Sequence, residues 1–88
     1  MYTSRMPARE AEVFGRVVKR FREQSGWTQE VLALAAGLTT HYLSDIERGV
    51  KVPSLTTVLR LAHAFDVAAG DLMVDFTPTM IRRLLRSE

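Results

Sequence analysis

Apolar residues recur along this chain at helical spacing and nowhere at the two-residue spacing of a half-buried strand. Phe14, Val17, Val18 and Phe21 follow the i, i+3, i+4, i+7 rule of an amphipathic helix. That helix is predicted to begin near Pro7, a good first-turn residue, and to stop near Gly26. Thr28 is a plausible N-cap for a second helix, with Glu30 in its first turn and Gly37 at its end. Thr39 or Thr40 caps a third, carrying Leu43 and Ile46 and stopped by Gly49. Pro53 and Ser54 open a fourth, with Leu55, Val58, Leu59, Leu61, Ala62 and Phe65. A very short fifth covers about 69–73, and Thr77-Pro78 starts a sixth with Met80, Ile81, Leu84 and Leu85 on one side. The predicted fold is all-α, with connections short enough to make consecutive helices neighbours.

Size and composition exclude much else. Eighty-eight residues make one domain with one core, burying roughly 60–65% of the unfolded surface. There is no cysteine, so disulfides, thiol catalysis and cysteine-based zinc sites are excluded. His41 and His63 are too few for a histidine-only metal site. No nucleophile–base pair and no glycine-rich phosphate loop is recognisable, so neither an enzyme nor a cofactor is expected. The longest apolar run is far too short to span a membrane, and no apolar segment resembling a signal peptide follows Arg5 and Arg9. A cytoplasmic protein without membrane contact is expected.

Charge alternates in blocks although the net value is only +2. Arg5, Arg9, Arg16, Lys19, Arg20 and Arg22 outweigh Glu10 and Glu12, and residues 23–47 then carry Glu23, Glu30, Asp45 and Glu47 with no cation. Arg48, Lys51 and Arg60 follow, then Asp66, Asp71 and Asp75, then Arg82, Arg83 and Arg86 against Glu88. Most of the cations are arginine, whose planar fork matches phosphate and carboxylate. Such a balance permits nucleic-acid binding, and equally describes solvated helix faces.

One constellation is more specific. Gln29-x-x-x-Ala33-x-x-x-Gly37-x-x-x-x-x-Leu43-x-x-Ile46-Glu47-Arg48-Gly49 combines residues that each have a mechanical reason. Two helices crossing over a tight turn approach closely at one point, where Ala33 supplies a small side chain. Gly37 stands where a left-handed residue is needed. Leu43 and Ile46 turn inward, which leaves Thr40, His41, Ser44 and Asp45 as an outward row able to hydrogen-bond base edges in a major groove.

With Trp27-Thr28-Gln29-Glu30 opening the second helix and Pro53-Ser54-Leu55 the fourth, the chain resembles the lambda-repressor-like helix-turn-helix family, also called Cro-type or XRE-type. The resemblance covers about residues 14–73. It implies a compact five-helix DNA-binding core plus a short C-terminal sixth helix. The domain is expected over 11–75, with its helix-turn-helix at about 28–48, preceded by an arm and helix start over 1–10 and followed by a C-terminal helix over 76–88. The third helix is expected in the major groove of double-stranded DNA, with Thr40, His41, Ser44 and Asp45 at the family's base-reading positions. Gln29 matches the phosphate anchor, and Thr28, Thr39, Tyr42, Arg48, Lys51 and Ser54 match backbone-contacting positions. Thr28 and Thr39 serve equally well as plain helix caps, and Tyr42 as a packing residue. Glu47 would repel phosphate; the resemblance pairs it with Arg22 of the first helix in a partly buried ion pair.

Departures from the family pattern carry expectations of their own. The third helix has no cation before Arg48. Ala68 replaces a common N-cap, and Asp66 a common glycine, which predicts a looser fifth helix. Val31, Leu34 and Ala35 make the second helix apolar on all sides. The expected cover is the N-terminal arm or the sixth segment, the alternative being a protein partner on that face. The sixth segment is too short to be stable alone. Leu72, Phe76, Met80, Ile81, Leu84 and Leu85 are expected to form or support the contact of a homodimer, the alternative being a cap on a monomeric core. The function expected is a sequence-specific regulator of transcription, a repressor on a palindromic operator. An antitoxin or another interaction module on the same fold is the alternative.

Overall fold

The computed structural model describes residues 8–86. Six helices follow one another: α1 (Arg9–Gln24), α2 (Gln29–Ala36), α3 (Thr40–Glu47), α4 (Leu55–Phe65), α5 (Ala69–Leu72) and α6 (Pro78–Arg86). No strand occurs among the described residues. Ala8 is the N-cap of α1 without a side-chain bond, and the predicted start at Pro7 lies outside the described residues.

The helix starts follow from local chemistry. Thr28, Thr39 and Ser54 each accept a hydrogen bond from the amide three residues on, at 3.2, 3.0 and 3.1 Å. The helix ends share one geometry. Gly26, Gly37, Gly49 and Asp66 are left-handed, with φ of 72°, 70°, 75° and 57°. After each, the next amide bonds back across the turn, as Leu38 does to Ala33 at 2.8 Å and Val67 to Ala62 at 3.0 Å. At α5, Ala68 offers no side-chain cap, and the Asp71 carboxylate accepts the Ala68 amide at 3.1 Å instead.

The core is built from Phe14, Val17, Val18, Leu32, Ala33, Ala36, Leu43, Ile46, Val58, Leu61, Ala62 and Leu72. Helix α1 packs on α3 and α5, α2 on α3 and α4, and α4 on α5. Phe65 closes the far side, 5.3 Å from the Phe21 ring and stacked on Trp27 at 5.7 Å. Helix α1 meets α3 at Gly15, where a Cβ would stand 2.9 Å from the carbonyl oxygen of Glu47 and closer still to that of Ile46.

One expectation is corrected here, and one set of residues is found in two different environments. The sixth segment does not cover α2. Its Met80 and Leu84 lie instead over Arg9, Glu12, Val13 and Arg16 of α1, and Leu34 remains 85% exposed with Val31 and Ala35 exposed beside it. Residues 1–7 of the arm, the other expected cover, lie outside the described residues. The dimer-contact set is also divided. Leu72 is wholly buried in its own core, Leu84 is buried and Phe76 packs against the core. Those three are taken up by their own chain. Ile81 and Leu85 stay exposed, because a helix laid on α1 by Leu84 turns these neighbours away from it.

Candidate nucleic-acid interface

The site is framed by an ion-pair joint. Arg22 donates from Nε to Glu47 Oε2 at 2.7 Å and from Nη2 to Oε1 at 3.1 Å, a bidentate fork. Its Nη1 donates to the Trp27 carbonyl at 2.8 Å. Gln29 Nε2 donates to the same Glu47 Oε1 at 3.0 Å. Four pieces of chain are thereby tied: α1, its connection to α2, the start of α2 and the end of α3. The hydrogen bonds to Glu47 hold the Arg22 guanidinium above the ordinary arginine range, against the opposite push of burial. Glu47, buried and fully engaged, is removed from the surface that would meet phosphate.

On that frame α3 presents Thr40, His41 and Ser44: His41 exposed, the two hydroxyl residues half-buried. The start of α2 lies at one end of the row. Thr28 accepts the Val31 amide there and keeps its own hydroxyl proton for an outside acceptor, as Thr39 does at the start of α3. Gln29, half-buried, uses one amide hydrogen on Glu47 and has a second. At the other end the loop after α3 exposes Arg48 and Lys51. Ser54 differs: its hydroxyl accepts the Thr57 amide and donates to Thr57 Oγ1 at 3.1 Å, so its proton is turned inward. The Tyr42 hydroxyl lies 3.4 Å from Thr57 Oγ1, and Lys51 Nζ sits 5.8 Å above the Tyr42 ring.

Asp45 does not belong to the outward row, and its expected place there is corrected. It is 5% exposed. Arg48 Nη2 donates to its Oδ1, while Lys51 Nζ and His41 Nε2 stand 3.5 Å from Oδ2. Cations three and six residues further on fold back over the carboxylate and bury it. Sequence reasoning also missed Gly15, whose only local sign is a glycine inside a strongly periodic helix. The bond from Gln29 to Glu47 was missed as well, because nothing local links those positions.

A short helix with one face of hydroxyl and imidazole groups open to solvent, with amide-bearing helix starts on one side and guanidinium and ammonium groups on the other, suits a duplex. A single helix is of a size that a major groove about 12 Å wide admits, and donors placed on both its flanks are of the kind that phosphates accept from. Among the described residues no cluster of His, Asp or Glu is disposed to hold a metal ion.

Comparison with known proteins identifies the family. Residues 18–72 match the family model described as helix-turn-helix. The uncharacterized HTH-type transcriptional regulator YazB of Bacillus subtilis is 38% identical over 63 residues, covering 72% of this chain and 91% of that protein. The control protein C.BamHI of Bacillus amyloliquefaciens is 39% identical over 66 residues, covering 74% and 80%. The crystal structure of the restriction-modification controller protein C.AhdI of Aeromonas hydrophila superimposes with a TM-score of 0.70 at 35% identity, over 72% of this chain and 96% of that one. The chain therefore belongs to the XRE-type, lambda-repressor-like helix-turn-helix family of DNA-binding transcription regulators.

Proposed function

We propose that this protein is a cytoplasmic, sequence-specific repressor that binds a palindromic operator in double-stranded DNA as a homodimer, α3 of each protomer in a major groove. The observation that carries the proposal is the row Thr40, His41 and Ser44, exposed or half-exposed on α3 between two sets of phosphate-level donors. Thr28, Gln29 and Thr39 form one set, and Arg48 and Lys51 the other. Tyr42 and Ser54 flank the second set, with their hydroxyls turned towards Thr57. Two copies related by a two-fold axis read two half-sites, which gives a small head a long enough site.

The test is a random-library DNA selection with the purified protein, sedimentation on the same sample, and a reporter driven by a promoter carrying the selected sequence. A two-fold symmetric motif, a dimer mass and a lowered reporter signal are expected. No enriched motif sinks the DNA proposal, a monomer mass sinks the dimer, and a raised signal makes the protein an activator.

The exposure of Leu34 favours one further reading, a protein partner on the apolar face of α2. Leu34→Glu separates the two: it leaves DNA binding intact and abolishes association with such a partner.

A further inference from the structure

We propose that Asp45 is a positioning residue for the DNA-facing cations, which its buried carboxylate gathers into one pre-ordered array that raises sequence discrimination. The proposal rests on the DNA-binding function above. Asp45 is almost fully buried, yet its side-chain partners are not core groups. They are Arg48, Lys51 and His41, all exposed. Both carboxylate oxygens are engaged, Oδ1 by Arg48 and Oδ2 by Lys51 and His41 at 3.5 Å each.

Each cation spends only part of its capacity on Asp45. A guanidinium has five N–H donors and an ammonium three, so donors remain for phosphate. Lys51 is held a second time by the Tyr42 ring beneath it, and the Tyr42 hydroxyl is steadied at Thr57 of α4. The array is thus tied to the core at both ends. Long side chains fixed before binding lose less freedom when they meet DNA.

The carboxylate has a second effect of the same sense. An anion beneath two phosphate-contacting cations subtracts from the attraction that any DNA exerts. Cations in the right register keep their phosphate contacts, whereas DNA held loosely is met by a reduced net charge. Asp45 therefore lowers non-specific affinity while it favours the correctly docked complex.

The test compares wild type with Asp45→Asn, which keeps the shape and removes the charge. Both go through the same random-library selection. The selected duplex and a scrambled duplex are then titrated over a range of salt. Asp45→Asn is expected to keep the selected motif, to bind scrambled DNA more tightly with a steeper salt slope, and to lose about tenfold in the ratio of specific to non-specific affinity. A changed base preference at one position overturns the proposal, since Asp45 would then read a base. An unchanged ratio and slope with only a lower melting temperature also overturns it, since the role would then be structural. If wild type itself enriches no motif, the DNA-binding function fails instead, and the two failures are told apart. Should Asp45→Asn not fold, the order parameter of the Arg48 Nε–H in free wild-type protein carries the test. A value near that of the backbone supports the array, and a value below about 0.6 overturns it.

Discussion

Arg22 and Arg20 stand two residues apart on α1, and each faces a carboxylate. Arg22 is bidentate to buried Glu47, whereas Arg20 lies 3.7 Å from Asp75 with both partners in solvent. The first environment removes water from the pair, so losing one partner strands the other; the second does not. Arg22→Ala is expected to cost about 3–5 kcal/mol, because Gln29 alone then faces the Glu47 carboxylate. Arg20→Ala is expected to cost no more than about 1 kcal/mol. Urea melts of both variants check this, and equal losses would mean that Glu47 is not buried. The pH window follows from the raised Arg22 value. A cation stabilised in the folded state contributes fully below its unfolded pKa and is lost only as pH rises through the folded one. The Arg22 contribution should therefore hold through mildly alkaline pH. The Arg22–Glu47 pairing was legible in the sequence because Ile46-Glu47-Arg48-Gly49 is a recognisable run. Gly15 was not, because its need arises from backbone on α3 that lies far along the chain. The burial of Asp45 is illegible in the sequence for a related reason. Helical spacing assigns it a face, but what covers it is a loop conformation set by Gly49 and the residues after it.

Helix ends were the most legible feature at the next scale up, since a cap is decided within a few residues. Thr28, Thr39, Ser54, Gly37 and Gly49 do what their types dictate. Asp66 is the exception that carries a prediction. It ends α4 in the left-handed region where glycine ends three other helices, at a steric cost that glycine does not have. Its side chain is exposed. Asp66→Gly is expected to raise stability by about 0.5–1 kcal/mol, the relief of that strain less the entropy glycine adds to the unfolded chain. In a domain of this size each 1 kcal/mol corresponds to a rise of about 4–8 °C in Tm, read by a thermal melt. A fall in Tm would show that the carboxylate makes a contact worth more than the strain. What was illegible at this scale was the buried face of α2. Where every position from 31 to 36 is apolar, periodicity selects no side. Leu32, Ala33 and Ala36 went inward and Leu34 outward because α3 and α4 approach from one direction only.

The described residues span 36 × 26 × 20 Å. Half-sites one turn of duplex apart are separated by about 34 Å, so two copies fit side by side on one face of DNA. Contact between them has to come from surface that one copy leaves uncovered. On α6 the division is sharp: Leu84 is 7% exposed, while Ile81 and Leu85 are 42% and 65% exposed. The predicted dimer contact thus shrinks to Ile81 and Leu85, with Leu84 acting as the foot that holds α6 on α1. Substituting both exposed residues, Ile81→Asp with Leu85→Asp, is expected to give a monomer by sedimentation with a melting temperature little changed at monomer concentrations. The variant should lose most of its affinity for a full palindrome and keep that for a half-site. Leu84→Asp should instead lower the melting temperature, because a charge would be driven into the packing against α1. A double variant that remains dimeric would move the contact to another set of exposed apolar residues, of which Val52, Leu55, Met73 and Val74 are one. Val74→Asp would then be the substitution that dissociates the dimer, and α6 would be a cap on a single copy.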